Sequence, residues 1–313
     1  MLRGPLLRSA ALAAVVVPAR SARSGSDGDD SELIARFRRD GFVIIRGGVA
    51  RGAAAALRAE MSARLASDRA SARVWLRRCL SNVQAAERRH SVEAALSPAA
   101  RAALATLLRE RRALYAALLP GAVDAAELVE LGAIASLPGA RAQAAHPDIA
   151  ACEPCELVTT FVALQDVSRE MGPTMVYAWT QSADSHARVH ARVADARRVD
   201  AAQYAEFVDD GVAYYDHRTA EDDEAARRDA ALRAHCGGEG PTACVLRAGD
   251  VLVMDTKVWH YGGENTSRRE RFLLQFSFLG AQCAGGGAPP RPRGFTYHLD
   301  GSLRGMRLGD FGA

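Results

Sequence analysis

The chain has 313 residues, 49% hydrophobic and 25% charged, a composition that supports one large packed core and excludes a disordered or fibrous protein. Its formal net charge is only +3, and the early arginines Arg3, Arg8, Arg20 and Arg23 supply that surplus, so nothing suggests a nucleic-acid partner. Six cysteines at irregular spacing, Cys79, Cys152, Cys155, Cys236, Cys244 and Cys283, are too few to form a disulfide framework.

Residues 1–30 read as a targeting segment and linker. The apolar run Ala10–Val17 has arginines on both sides and no acidic residue near it, and Gly25–Asp30 is a polar linker. Eight apolar residues are too short to span a bilayer, and no transmembrane span is expected elsewhere. Arginines beyond the apolar run favour an organellar address, mitochondrion or plastid, with the secretory pathway as the alternative. That leaves 31–313 as one domain.

Ser31 is expected to cap a first helix whose buried stripe is Leu33, Ile34 and Phe37. Asp40-Gly41 turns into a short strand, Phe42–Ile45, and the alanine-rich run from Arg51 to Ala66 is a strong helix with Leu57, Met61 and Leu65 inward. Ser97-Pro98 opens another helix that buries Leu104, Leu107, Leu108, Leu114, Leu118 and Leu119. The many arginines of this half, Arg88 and Arg89 among them, are interleaved with glutamates and read as a solvated helix surface.

From Leu128 the pattern becomes strands: Leu128–Ser136, Leu157–Leu164, Met175–Tyr177, Val251–His260 and Arg271–Phe278. In the last, Phe272, Leu274, Phe276 and Phe278 alternate with Arg271, Leu273, Gln275 and Ser277, so both faces are covered. The expected fold is mainly β with flanking α-helices, a cupin-like double-stranded β-helix or jelly roll. Residues 184–241 interrupt the strands. They read as a lid-like insertion whose aromatics Tyr204, Phe207, Tyr214 and Tyr215 would meet a substrate, against the alternative of packing on the outer helices. His186, His190, His217 and His235 lie there as ordinary surface or core histidines. Cys152-Glu-Pro-Cys155 sits in a loop with no second pair at zinc spacing, and its role stays open.

The chemistry gathers around Gln143-Ala-Ala-His146-Pro-Asp148. On extended backbone His146 and Asp148 point the same way, and His260, at the end of a later strand, can supply a third ligand. Two imidazoles and one carboxylate on one side of an octahedron suit a non-haem Fe(II) oxygenase. The same three groups would also serve a zinc- or manganese-dependent hydrolase. A non-catalytic jelly-roll binding module is the remaining alternative. Arg271 needs an anionic partner, because an unpaired buried charge is costly.

Five stretches in order, Asp40–Gly47, Leu137–Gln143, His146-Pro-Asp148, Ala163–Thr174 and His260–Arg271, resemble the phytanoyl-CoA dioxygenase family of Fe(II)/2-oxoglutarate oxygenases. The resemblance implies His146, Asp148 and His260 as catalytic iron ligands and Arg271 as the clamp for the distal carboxylate of 2-oxoglutarate. Gln143 and Phe161 would line the cosubstrate pocket. It further implies O2 as oxidant, succinate and CO2 as coproducts, and hydroxylation of a small-molecule substrate. Asp148 favours hydroxylation over halogenation, which would require a small residue there. Ala178–Ser182 departs from the family's usual turn, so substrate identity, an acyl-CoA included, is left open, as is the oligomeric state.

Overall fold

The computed structural model describes residues 29–70, 88–149, 151, 156–197, 222–284 and 298–312. Among these residues nine strands form two antiparallel sheets. The larger contains β1 (Phe42–Ile45), β2 (Arg89–Glu93), β3 (Glu127–Ser136), β4 (Leu157–Ala163), β7 (Val251–Asp255) and β9 (Arg271–Leu279), in the order β1-β7-β4-β9-β3-β2. The smaller is β6-β5-β8, from Thr242–Ala243, Thr174–Val176 and His260–Gly262. Packed face to face they make the expected jelly roll.

Period two decides which residue meets which layer. Phe272, Leu274, Phe276 and Phe278 of β9 join Val158, Val162, Val251 and Val253 on the outer face, under the helices. Leu273, with Phe161, Leu252 and Met254, faces inward toward Val176 of the small sheet. Every residue of β4 is buried, because it lies between β7 and β9 and is covered on both sides.

The covering helices follow the sequence with local corrections. α1 (Asp30–Asp40) begins two residues early: Asp29, not Ser31, is its cap, and Gly41 closes it at φ 81°. α2 (Arg51–Ala70) buries Leu57, Met61 and Leu65 as expected. Ser97 caps α3 (Pro98–Glu110), its hydroxyl accepting from the Ala100 amide at 3.1 Å. The single helix expected here breaks at Arg111, whose φ of −114° leaves helical geometry, and α4 (Arg112–Leu118) follows.

A larger correction concerns Arg89. It lies in strand β2, not on a solvated helix, and pairs with Ser136 of β3. It is 1% exposed. The C-terminal segment carried no expectation. It returns along the first half of β3, with the Leu128 amide donating to Met306 and the Leu308 amide to Ala126.

Of the insertion, α5 (Ala183–Arg197) and α6 (Asp222–His235) are described. Val189, Val193, Ala231 and Leu232 cluster with Tyr177 and Trp259, so the pair packs behind the small sheet. Tyr204, Phe207, Tyr214, Tyr215 and His217 lie outside the described residues, as do 1–28 and the Cys152–Cys155 pair. No helix among the described residues is long and apolar enough to cross a membrane.

Candidate metal centre

The segment 139–149 runs antiparallel to 256–265 and fixes the three candidate ligands on one backbone frame. The His146 and His260 amides each donate to the other residue's carbonyl at 2.9 Å, the Gln143 amide to Gly262 at 2.9 Å, and the Asp148 amide to Thr256 at 2.8 Å. One potential ligand atom from each of His146, Asp148 and His260 falls within 4.8 Å of the others. His146 Nε2 and His260 Nε2 stand 3.8 and 3.6 Å from Asp148 Oδ1.

Each imidazole is oriented by its other nitrogen. His146 Nδ1 lies 2.8 Å from the Ala144 carbonyl, and His260 Nδ1 lies 3.0 Å from the Val258 carbonyl. A carbonyl only accepts, so both Nδ1 atoms carry the proton and both Nε2 lone pairs point at the shared centre. Burial pushes the Asp148 carboxyl up, while His260 and His298 pull it down. A cation between these groups would stabilise the carboxylate and use both lone pairs. The donor set of two imidazoles and one carboxylate fits a divalent transition metal with positions left open.

Arg271 begins β9 and is 2% exposed. It donates to the Gly172 carbonyl, but its Nε is buried without a partner. Arg89 lies beside it and donates through Nη2 to Arg141, Gly262 and Gly263 carbonyls at 3.1, 3.3 and 2.8 Å. Its Nε and Nη1 are also buried and unpaired. Among the described residues neither guanidinium has an acidic partner. Burial lowers the Arg89 pKa to about 10, which leaves it cationic at neutral pH. Burial and the Arg89 charge together push Arg271 well below its ordinary value. Two adjacent buried guanidiniums with unused donors could hold an anion. Of the two, the sequence singled out Arg271 as a carboxylate clamp and left Arg89 on a solvated surface.

Gln143 and Phe161 occupy the wall between. Gln143 Oε1 accepts from the Gly262 amide at 2.8 Å, so it holds the ladder beside His260. Phe161 stands on the inner face, in register with Gln275 and Leu252. Gly262 has no room for a side chain: a Cβ there would collide with Arg89 Nη1 and lie 2.6 Å from Gln143 Oε1. Pro147, between the two ligands of the motif, is buried.

A jelly roll with two histidines and a carboxylate converging at its mouth is the scaffold of a 2-oxoglutarate-dependent oxygenase. The chain belongs to the phytanoyl-CoA dioxygenase family, whose sequence model matches residues 37–273. Solved structures share the fold at low identity. The epimerase SnoN, in a complex with Fe3+, alpha ketoglutarate and nogalamycin RO, is 20% identical, with 88% of this chain and 97% of that one covered and a TM-score of 0.52. The alpha ketoglutarate-dependent carbocyclase SnoK of nogalamycin biosynthesis is 16% identical, covering 82% and 87%, with a TM-score of 0.50. No curated protein sequence matches the chain significantly.

Proposed function

We propose that the protein is an Fe(II)- and 2-oxoglutarate-dependent dioxygenase that hydroxylates a small organic substrate, with His146, Asp148 and His260 holding the iron. The observation that carries this reading is the convergence of two Nε2 lone pairs and the Asp148 carboxylate within 4.8 Å, each imidazole being fixed through its Nδ1. Bound Fe(II), with 2-oxoglutarate and O2, supplies the oxidising chemistry and leaves succinate and CO2 as coproducts.

The chain's own residues do the rest. Arg271 and Arg89 take the far carboxylate of the cosubstrate into a buried, doubly cationic cradle, where planar guanidinium donors match carboxylate geometry. Phe161, with Leu252 and Leu273, lines the apolar stretch of the inner face and excludes water from it. Gln143 keeps the Gly262 peptide in place between the histidine and the arginines. Asp148 fills the ligand position that a halogenase would leave open, which favours transfer of hydroxyl.

A metal-dependent hydrolase would use the same three ligands. It gives no account of two adjacent buried arginines without acidic partners, and a non-catalytic module gives none of the matched histidine tautomers. The leader, residues 1–30, we assign to organellar import, and 31–313 to one catalytic domain.

The test is anaerobic titration of Fe(II)-loaded protein with 2-oxoglutarate. A weak visible charge-transfer band that appears in wild type and vanishes in His146→Ala is expected. One tightly bound iron per chain with no band would transfer the assignment to the hydrolase.

A further inference from the structure

The inner face of the large sheet is apolar around Phe161, Leu252, Met254 and Leu273, yet it carries one polar row. Glu130 of β3 is in register with Ser277 of β9, and Ser277 with Thr159 of β4. Ser277 Oγ donates to Glu130 Oε2 at 2.6 Å. Its single proton is then committed, so Thr159, 2.8 Å away, donates to Ser277. The Gln275 side chain, on the same face, also bonds to the Glu130 carboxylate. Three side chains on two strands are thus organised around one acid.

That acid faces the metal centre. Val129, next to Glu130, packs in one cluster with Ile149, next to Asp148; burial pushes the Glu130 carboxyl up, Asp148 adds to the rise, and His298 pulls both carboxyls down. Glu130 and Gln275 also mark where the barrel interior opens. Glu130 is partly exposed, as is Ile134 further along β3, Gln275 is the one partly exposed residue of β9, and the Asp148 side chain is 32% exposed.

Folding does not require this arrangement. A second carboxylate next to a ligand carboxylate is a like-charge neighbour, which costs stability wherever an apolar side chain would fit. Two donors use about half of the roughly four hydrogen bonds that a carboxylate accepts. Glu130 is partly exposed, so the remaining capacity is accessible to a ligand.

We propose that Glu130 is the substrate-anchoring residue of this site. It accepts a hydrogen bond from a hydroxyl or ammonium group of the substrate and thereby selects which C–H bond stands beside His146, Asp148 and His260. Ser277 and Gln275 are positioning residues that hold its carboxylate. The substrate class is a small molecule with an O–H or N–H donor near the reacting carbon, rather than a plain hydrocarbon chain. Only the reference to a reacting C–H rests on the oxygenase reading.

The test uses full-length protein and three probes of one skeleton: cyclohexanol, cyclohexylamine and the donor-free cyclohexyl methyl ether. Binding is measured by ligand-observed NMR, with the anaerobic 2-oxoglutarate band recorded on the same preparations. Wild type should bind the alcohol or the amine at least about fivefold more tightly than the ether, the yield of one hydrogen bond of about 1 kcal/mol. Glu130→Leu should abolish that preference and keep the band. Glu130→Gln, which preserves shape, should keep the preference for the alcohol and lose the one for the amine.

Equal binding of all three probes by wild type, no binding by any, or a preference that survives in Glu130→Leu overturns the proposal. If no band forms while the Glu130-dependent preference persists, the oxygenase reading fails and the donor site stands.

Discussion

Arg271 and Arg89 show how a residue's role depends on what surrounds it. Both are guanidiniums with donors left over in a buried site, and each raises the cost of the other. An incoming dicarboxylate relieves both, so the cosubstrate should bind with a large electrostatic share. Removing one partner of a buried, hydrogen-bonded charge pair costs about 2–4 kcal/mol, roughly one and a half to three decades in affinity. Arg271→Ala should weaken 2-oxoglutarate by that amount without reducing iron stoichiometry. Arg271→Lys should recover only part of the loss, because an ammonium cannot reproduce the fork. Titrating the charge-transfer band gives both numbers. Gly262→Ala tests the same cradle sterically. Its Cβ displaces Arg89 and Gln143, so 2-oxoglutarate should bind at least tenfold more weakly while iron still binds one per chain. Arg271 was legible because its spacing from His260 and the apolar alternation around it are local properties. Arg89 was not legible: it sits among many arginines, and its burial comes from pairing with Ser136, 47 positions away by their numbering.

At the scale of elements, the α5–α6 pair supports the backs of the segments that bear the histidines. Arg228 of α6 donates to the Ala145 carbonyl at 3.1 Å, one residue before His146. Trp259, one residue before His260, is fully buried against the rings of His186 and His190, each 5.5 Å away. Tyr177 donates to Asp229, which also pairs with Arg233 at 2.6 Å. The ordinary reading of His186 and His190 as non-ligands agrees with these contacts, but their burial has a consequence for pH. Desolvation holds both near a pKa of about 4, against 6.5 for an exposed imidazole. Between those values the unfolded chain binds protons that the folded chain refuses, so stability must fall as pH drops from about 6.5 toward about 4. Each imidazole contributes up to about 3 kcal/mol to that loss. Thermal melting from pH 7 to pH 4.5 should show the decline. In His186→Gln, whose amide can still donate to the Lys257 carbonyl that His186 meets at 2.7 Å, the slope should fall by about one proton's worth. An unchanged slope would mean that His186 is charged in the folded protein.

For the molecule as a whole, the jelly roll was legible because β4 and β9 carry their covering on their face: continuous apolar runs imply two covered sides, and the phase of β9 separated the helix-facing from the cavity-facing residues. The C-terminal segment was not, since its hold on β3 is mostly backbone hydrogen bonding, which leaves little trace in side-chain pattern. It nonetheless completes the core. Leu299, Leu303, Leu308 and Phe311 are buried, and Phe311 meets Phe278 edge to face at 6.1 Å with the Arg101 guanidinium 5.8 Å from its ring centre. His298, on the same segment, bridges to Glu130. Phe311→Ala should therefore cost about 3 kcal/mol through the cavity it leaves, several degrees in Tm, with the 2-oxoglutarate band intact. Deleting 298–313 should do much more. It removes four buried apolar side chains, each contributing about 1.5–3 kcal/mol, and bares the unpaired edge of β3 to other copies of the chain. Size-exclusion chromatography should find the truncated protein aggregated and Phe311→Ala unchanged in elution. A truncated chain that stayed dispersed and melted like wild type would show that the tail is an appendage, not a part of the sheet.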